Sequence, residues 1–227
     1  ENLRFAVRHP HVTLQHLRSK YRFMKGEPYE WYVTRSKVAY LKTCAKLASF
    51  LCCSPTSVTA AYHDLERSGI MKGLAKRYGY ETSGMGFGEL TVLYLVTRIL
   101  KPEIIVETGV ARGLSSVVLL QALKENGQGF LYSIDLSQNI GDFIPESLKS
   151  RWELLTGSSR DQLPKLLEML GELDLFLHDS EHTYINMSFE FQCAYQYLTE
   201  EGIIASHDIS VGDGALAFVT FKRIVGG

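Results

Sequence analysis

The chain has 227 residues, 45% hydrophobic and 22% charged, enough to bury a sizeable core and unlike a disordered, collagenous or disulfide-built chain. No apolar run is long enough to span a membrane, and residues 1–20 carry charges and histidines where a secretory signal would be apolar. The net charge of −1 hides a split: residues 1–80 hold 14 Lys and Arg against 5 Asp and Glu, whereas residues 81–227 hold 10 against 20. The four cysteines (Cys44, the adjacent Cys52 and Cys53, and Cys193) lack the CxxC spacing of a zinc site. They predict reduced, mostly buried thiols and a cytoplasmic setting.

The first 34 residues are basic and aromatic (Tyr21, Phe23, Tyr29, Trp31, Tyr32), without periodicity, and offer a surface for homo-oligomer contact. From Arg35 the spacing of Val38, Leu41, Cys44 or Ala45, Ala48 and Leu51 predicts a helix. Ser54-Pro55-Thr56 stops it and starts a second, with Val58, Ala61, Tyr62 and Leu65 on one face and Gly69 as its end. Two helices so joined read either as a DNA-binding helix-turn-helix or as a cap packed on the main domain. The cap is preferred, since no recognition side chains stand out, and a nucleic-acid partner is not expected. Tyr78–Glu89, with four glycines, reads as a mobile connector. The predicted division is a cap or substrate region over 1–84 and an α/β domain over 85–227.

After a helix over 89–100 the texture alternates. Strands are predicted at 104–106, 130–134, 152–155, 173–177 and 203–206, with helices at 115–124, 161–170, 184–198 and 215–223. Strands alternating with helices mean a doubly wound, mostly parallel sheet, whose ligands bind beyond the carboxyl ends of the strands.

Those ends carry the chemistry. The first strand runs into Glu107-Thr108-Gly109-Val110-Ala111-Arg112-Gly113-Leu114-Ser115, a tight loop opening a helix whose free N–H groups suit a pyrophosphate or a carboxylate. Its glycine spacing is not the dinucleotide GxGxxG, which disfavours a nicotinamide dehydrogenase, and Glu107 suits an ammonium group better than a phosphate. Asp135 ends the second strand, placed either to hold ribose hydroxyls or to cap a turn. Ser158, Ser159 and Arg160 follow the third strand, small and polar enough to line an adenine slot. The fourth ends in His178-Asp179-Ser180-Glu181-His182 and the fifth in Ser206-His207-Asp208, so ionisable clusters converge on one rim.

Together, ExGxxxGxS at 107–115, Asp135, Gly157-Ser158-Ser159-Arg160-Asp161 and Asp179-x-x-His182-x-Tyr184 resemble class I S-adenosylmethionine-dependent methyltransferases with a Rossmann-like sheet. The nearest subgroup is the catechol and caffeoyl-CoA O-methyltransferases with the related antibiotic- and sugar-tailoring enzymes, and the resemblance spans about residues 85–225. It implies that Gly109 and Gly113 shape the cofactor loop, and that Glu107 and Ser115 hold the methionine ammonium and carboxylate. It further implies that Asp135 takes the ribose, that Ser158, Ser159 and Arg160 border the adenine, and that Asp179 lies between cofactor and substrate. The metal-dependent members imply Mg2+ or another divalent ion on Asp179, His207 and Asp208, although a His ligand moves preference toward transition metals. Where the catechol-type enzymes carry a lysine, this chain has His182, a residue able to act as general base on a small-molecule hydroxyl near neutral pH.

Only 19 residues follow Asp208, so the antiparallel hairpin that closes this sheet in the family is expected to be missing. Two other readings remain: a module that binds S-adenosylmethionine without transferring its methyl, and a nucleic-acid-binding regulator built on the front helices.

Overall fold

The structure is a computed structural model that describes residues 4–7, 37–78, 85–209 and 212–225. In chain order the elements are β1 (Arg4–Val7), α1 (Lys37–Phe50), α2 (Pro55–Ser68), α3 (Ile70–Tyr78), α4 (Phe87–Leu100), β2 (Ile104–Thr108), α5 (Leu114–Asn126) and β3 (Phe130–Asp135). A 3-10 turn (Glu146–Arg151) leads into β4 (Trp152–Thr156), followed by α6 (Ser159–Leu170), β5 (Leu173–His178), α7 (Tyr184–Tyr197), β6 (Leu198–Ser206) and α8 (Gly212–Val225).

The sheet order is β1-β6-β5-β2-β3-β4, with β2 to β6 parallel throughout and β1 antiparallel to β6. The five parallel strands match the sequence reading. The antiparallel edge strand does not: it comes from Arg4–Val7, in a stretch without readable periodicity, and pairs Arg4 with Ser206 and Val7 with Ile203. Beside β6, among the described residues, an antiparallel neighbour is therefore present, supplied from the far end of the sequence. Four residues are too few to show an alternating pattern, which is why the strand was not legible.

Alternation along each strand sends successive side chains to opposite faces and builds two cores. Ile105, Leu131, Leu177, Ile203 and Ala205 meet α4 and α5 on one face. Val106, Ile134, Phe176 and Ile204 meet α6, α7 and α8 on the other. Helix α4 is buried almost all round, from Phe87 to Thr97, because α2 covers the side that faces away from the sheet.

Helix α2 starts as expected: the Ser54 hydroxyl accepts the Ser57 N–H at 3.1 Å, Pro55 takes the first turn, and Gly69 closes the helix in the left-handed region. Its Val58, Ala61 and Leu65 are buried in the same core as α4 and α5. The front helices thus spend their apolar faces on the domain, as a cap does. Asp64 of α2 pairs with Arg98 of α4 at 2.7 Å across that contact.

Two expectations for this region change. Helix α3 follows Gly69 at once, and the predicted connector is narrower, since Tyr78 ends α3 and Phe87–Glu89 already form the first turn of α4. Gly79 and Gly84 of that connector, the aromatic stretch 21–32 and the basic residues Lys20, Arg22 and Lys25 lie outside the described residues. All four cysteines are free thiols, as expected, but of the four Cys44 is buried, Cys53 and Cys193 are half-buried and Cys52 is exposed, so they are not mostly buried.

Candidate active site

Beyond Thr108 the chain turns through Gly109 at φ 84°, Ala111 at φ 47° and Gly113 at φ 86° before entering α5. Gly109 is required for space as well as for its backbone angle. A Cβ there would lie 2.1 Å from the Asp179 carbonyl oxygen, because the Asp179 N–H donates to the Thr108 carbonyl at 2.8 Å and draws the two strand ends together.

Asp135 holds this loop. Its Oδ2 accepts the N–H of Val110 at 2.9 Å and of Ala111 at 3.2 Å, and its Oδ1 accepts the N–H of Ser137 at 3.1 Å. Ser158 caps α6 by accepting the Asp161 N–H at 3.2 Å. A cavity of about 440 Å³ opens between these ends, lined by residues 109–111, 134–136, 157–160, 179–181 and Asn186. That size falls in the usual range for small-molecule pockets.

Of the residues assigned to the cofactor, Gly109, Asp135, Ser158, Ser159, Arg160 and Asp179 line this cavity. Gly113 packs behind it, against Ile144 and Gly141. Glu107 is fully buried beneath the loop, where its carboxylate accepts the hydroxyls of Ser115 at 2.5 Å, Ser116 at 2.7 Å and Ser133 at 2.9 Å. The two residues assigned to the methionine end are therefore engaged with each other. Burial pushes the Glu107 carboxyl up to about 7 against the pull of those hydroxyls.

On its other side Asp179 meets His182 and His207, which do not themselves line the cavity. Its Oδ1 lies 3.1 Å from His207 Nδ1 and 3.6 Å from His182 Nε2. Burial alone would raise the Asp179 carboxyl, but hydrogen bonding and charge from His182 and His207 hold it below the usual range. Burial acts the other way on His207 and is outweighed by Asp179, Glu89 and Asp208, which push that imidazole up to about 9.

Asp208 sits with its Oδ2 3.5 Å from His207 Nδ1, at a left-handed φ of 51°. The donor atoms of Asp179, His182 and His207 lie within 4.8 Å of one another, a set that contains His182 in place of the expected Asp208. Among the described residues, neither His182 Nε2 nor His207 Nε2 has a hydrogen-bond partner.

Two carboxylates on this rim were missed in the sequence. Glu89, in the first turn of α4, accepts the Gly86 N–H at 2.7 Å and reaches within 3.8 Å of His207 Nε2. Glu190 of α7 is buried behind the strand ends and pairs with His178 at 2.6 Å, while the His178 ring stands edge-on to His182 with centroids 5.2 Å apart. Burial works against the Glu190 charge, but His178, Ser159 and Thr108 bring its carboxyl down to about 2. Each carried a signal: Glu190 is the sole charged residue of α7, and Glu89 the sole acid of α4.

Residues 106–209 match the methyltransferase domain family Methyltransf_24. A search of curated proteins finds no match. Among solved structures, the O-methyltransferase from Bacillus cereus in complex with SAH is 17% identical, with a TM-score of 0.52 over 71% of this chain and 78% of that one. The O-methyltransferase TomG from Streptomyces achromogenes, involved in tomaymycin synthesis and solved with SAM, is 18% identical, with a TM-score of 0.50 over 69% and 75%. Cofactor-bound Rv0187 from MTB is 16% identical, with a TM-score of 0.54 over 79% and 82%. At these identities the likeness establishes the fold, while the family match covers every strand end that lines the cavity. Residues 106–209 thus match a methyltransferase domain model, and the parallel sheet with its glycine loop beside Asp135 has the fold of the solved O-methyltransferases from Bacillus cereus and Streptomyces achromogenes.

Proposed function

We propose that the chain transfers the methyl group of S-adenosylmethionine to a hydroxyl oxygen of a small molecule, with His182 as the base. The observation that carries this reading is the position of Asp179, which lines the cavity and also pairs with His182 and His207. The cofactor lies along the cavity with its ribose toward Asp135 and its adenine beside Ser158, Ser159 and Arg160. Gly109 to Ala111 border the methionine end, with Glu107 and Ser115 supporting that loop from beneath, and the exposed Leu136 covers one lip.

The acceptor hydroxyl approaches over Asp179. Its oxygen attacks the sulfonium methyl, the carbon–sulfur bond breaks toward sulfur, and the hydroxyl proton passes to His182 Nε2. That nitrogen has no hydrogen-bond partner among the described residues, and imidazole suits proton transfer near neutral pH. Asp179 orients the ring and faces the positive charge that the ring acquires.

A divalent ion fits the same residues, since a nitrogen of each imidazole, His182 Nε2 and His207 Nδ1, lies close to the Asp179 carboxylate and the three donors lie within 4.8 Å of one another. Asp179 and His207 would hold it, joined either by Asp208, as the resemblance implies, or by His182. Bound there, the ion would lower the pKa of the acceptor hydroxyl and fix its oxygen. An ion that recruits His182 takes away its basic nitrogen, so the two uses of that ring exclude each other.

Calorimetric titration with S-adenosylhomocysteine tests the cofactor, and the absence of heat would overturn the reading. His182→Ala is expected to lower turnover about 10²- to 10⁴-fold with cofactor affinity unchanged. Unchanged turnover would remove the base. After exhaustive chelation, full retained turnover would exclude an essential ion, and loss of turnover restored by added metal would show that one is required.

A further inference from the structure

The strand ends around the cavity are tied together by one buried side chain. Glu190 Oε2 accepts the Thr108 hydroxyl at 2.6 Å and meets His178 Nδ1 at 2.6 Å. Its Oε1 accepts the Ser180 hydroxyl at 2.7 Å and the Asn186 amide nitrogen at 2.9 Å. An ionised carboxylate only accepts hydrogen bonds, so it dictates which end of the Asn186 amide faces it.

The Asn186 nitrogen is fully spent inward, on Glu190 Oε1, on Ser180 Oγ at 3.1 Å and on the Glu181 carbonyl at 3.3 Å. Its Oδ1 accepts the Ser159 hydroxyl at 3.5 Å, a long contact that leaves the second lone pair of that oxygen for another donor. Asn186 and Ser159 both line the cavity. A fixed acceptor therefore stands on the wall beside Ser158, Ser159 and Arg160.

An acceptor locked from behind selects for a donor in front of it. Resting on the cofactor reading above, in which adenine occupies this wall, the structure assigns Asn186 to recognition of the 6-amino group of the purine, with Glu190 as the positioning residue that sets the amide. A 6-oxo purine of the same shape brings a carbonyl against a carbonyl, and the buried Asn186 cannot turn over without setting its amide oxygen against the Glu190 carboxylate. The contact distinguishes the cofactor by base, a role separate from methyl transfer.

The test is calorimetric titration of S-adenosylhomocysteine and its 6-oxo analogue, S-inosylhomocysteine, into the whole chain. The wild type is expected to prefer the amino compound by about tenfold to a hundredfold, the range for leaving a buried acceptor without its donor. Asn186→Ala should weaken the amino compound by that factor and leave the analogue unchanged, bringing the ratio near one. Glu190→Gln, which sets a donor where the carboxylate stood and frees the Asn186 amide to turn over, should also collapse the ratio.

Structural damage alone weakens both ligands together and preserves their ratio, so a ratio unchanged in Asn186→Ala overturns the assignment. A wild-type ratio near one overturns it as well. No heat from either ligand with the wild type removes the cofactor reading and this inference with it.

Discussion

Glu107 and Glu190 are both carboxylates with no exposure to solvent, a few residues from the same cavity, and the protein treats them oppositely. Glu107 is met by three serine hydroxyls and its carboxyl rises to about 7. Glu190 is met by two hydroxyls, one amide and the His178 imidazole, and its carboxyl falls. Hydrogen-bond donors alone do not offset the loss of water around a charge, whereas donors joined by an ionisable ring do. One site keeps a carboxyl that is easily neutralised under the cofactor loop, and the other keeps a firm charge behind the rim.

The largest expected effect is on Glu190→Ala, which strands Thr108, Ser180, Asn186 and His178 without their shared acceptor. Urea denaturation should show a loss of about 3–5 kcal/mol. A loss under about 1 kcal/mol would mean that these groups find other partners and that Glu190 organises nothing. Since its folded pKa is depressed, the contribution of Glu190 is present above its unfolded value and lost as pH falls through the folded one.

For Glu107 the sign reverses. Its folded pKa lies above the unfolded value, so its stabilising share is complete below about 4.5 and lost as pH rises through about 7. Glu107→Gln removes that titration. The stability of the variant relative to the wild type should therefore rise by about 3 kcal/mol between pH 4.5 and pH 8. A difference that stays flat across that window would show that Glu107 carries the same charge state folded and unfolded. The smallest effect expected is on cofactor affinity, with Glu107→Gln within about threefold of wild type for S-adenosylhomocysteine, because the carboxylate is committed to serines. A loss beyond about tenfold would instead put Glu107 in direct contact with the ammonium group.

The contrast also explains what could be read from the sequence. The parallel strands and the loop from Glu107 to Ser115 were legible because each rests on local pattern: alternation, β-branched runs, glycines before a helix. Asp135, Asp179, His182 and His207 could be picked out because strand ends are where such a sheet exposes side chains. Glu89, Glu190 and Asn186 lie inside helices, where spacing marks them as surface or core and says nothing of what a neighbouring strand brings. The contact that ties Glu190 to the first strand end is distant in sequence, 82 residues from Thr108. Helix α3 was hidden by Gly69, which ends one helix and also stands directly before the next.

The pairing of β1 with β6 joins stretches some two hundred residues apart, and β6 runs directly into His207 and Asp208. Closing so long a loop wins few contacts until the sheet already exists, so this edge is expected to form late in folding. The histidine that meets Asp179 is thus carried by the strand whose outer neighbour arrives last. Loosening four residues at one end of the sequence would be felt first in the alignment of an imidazole near the other.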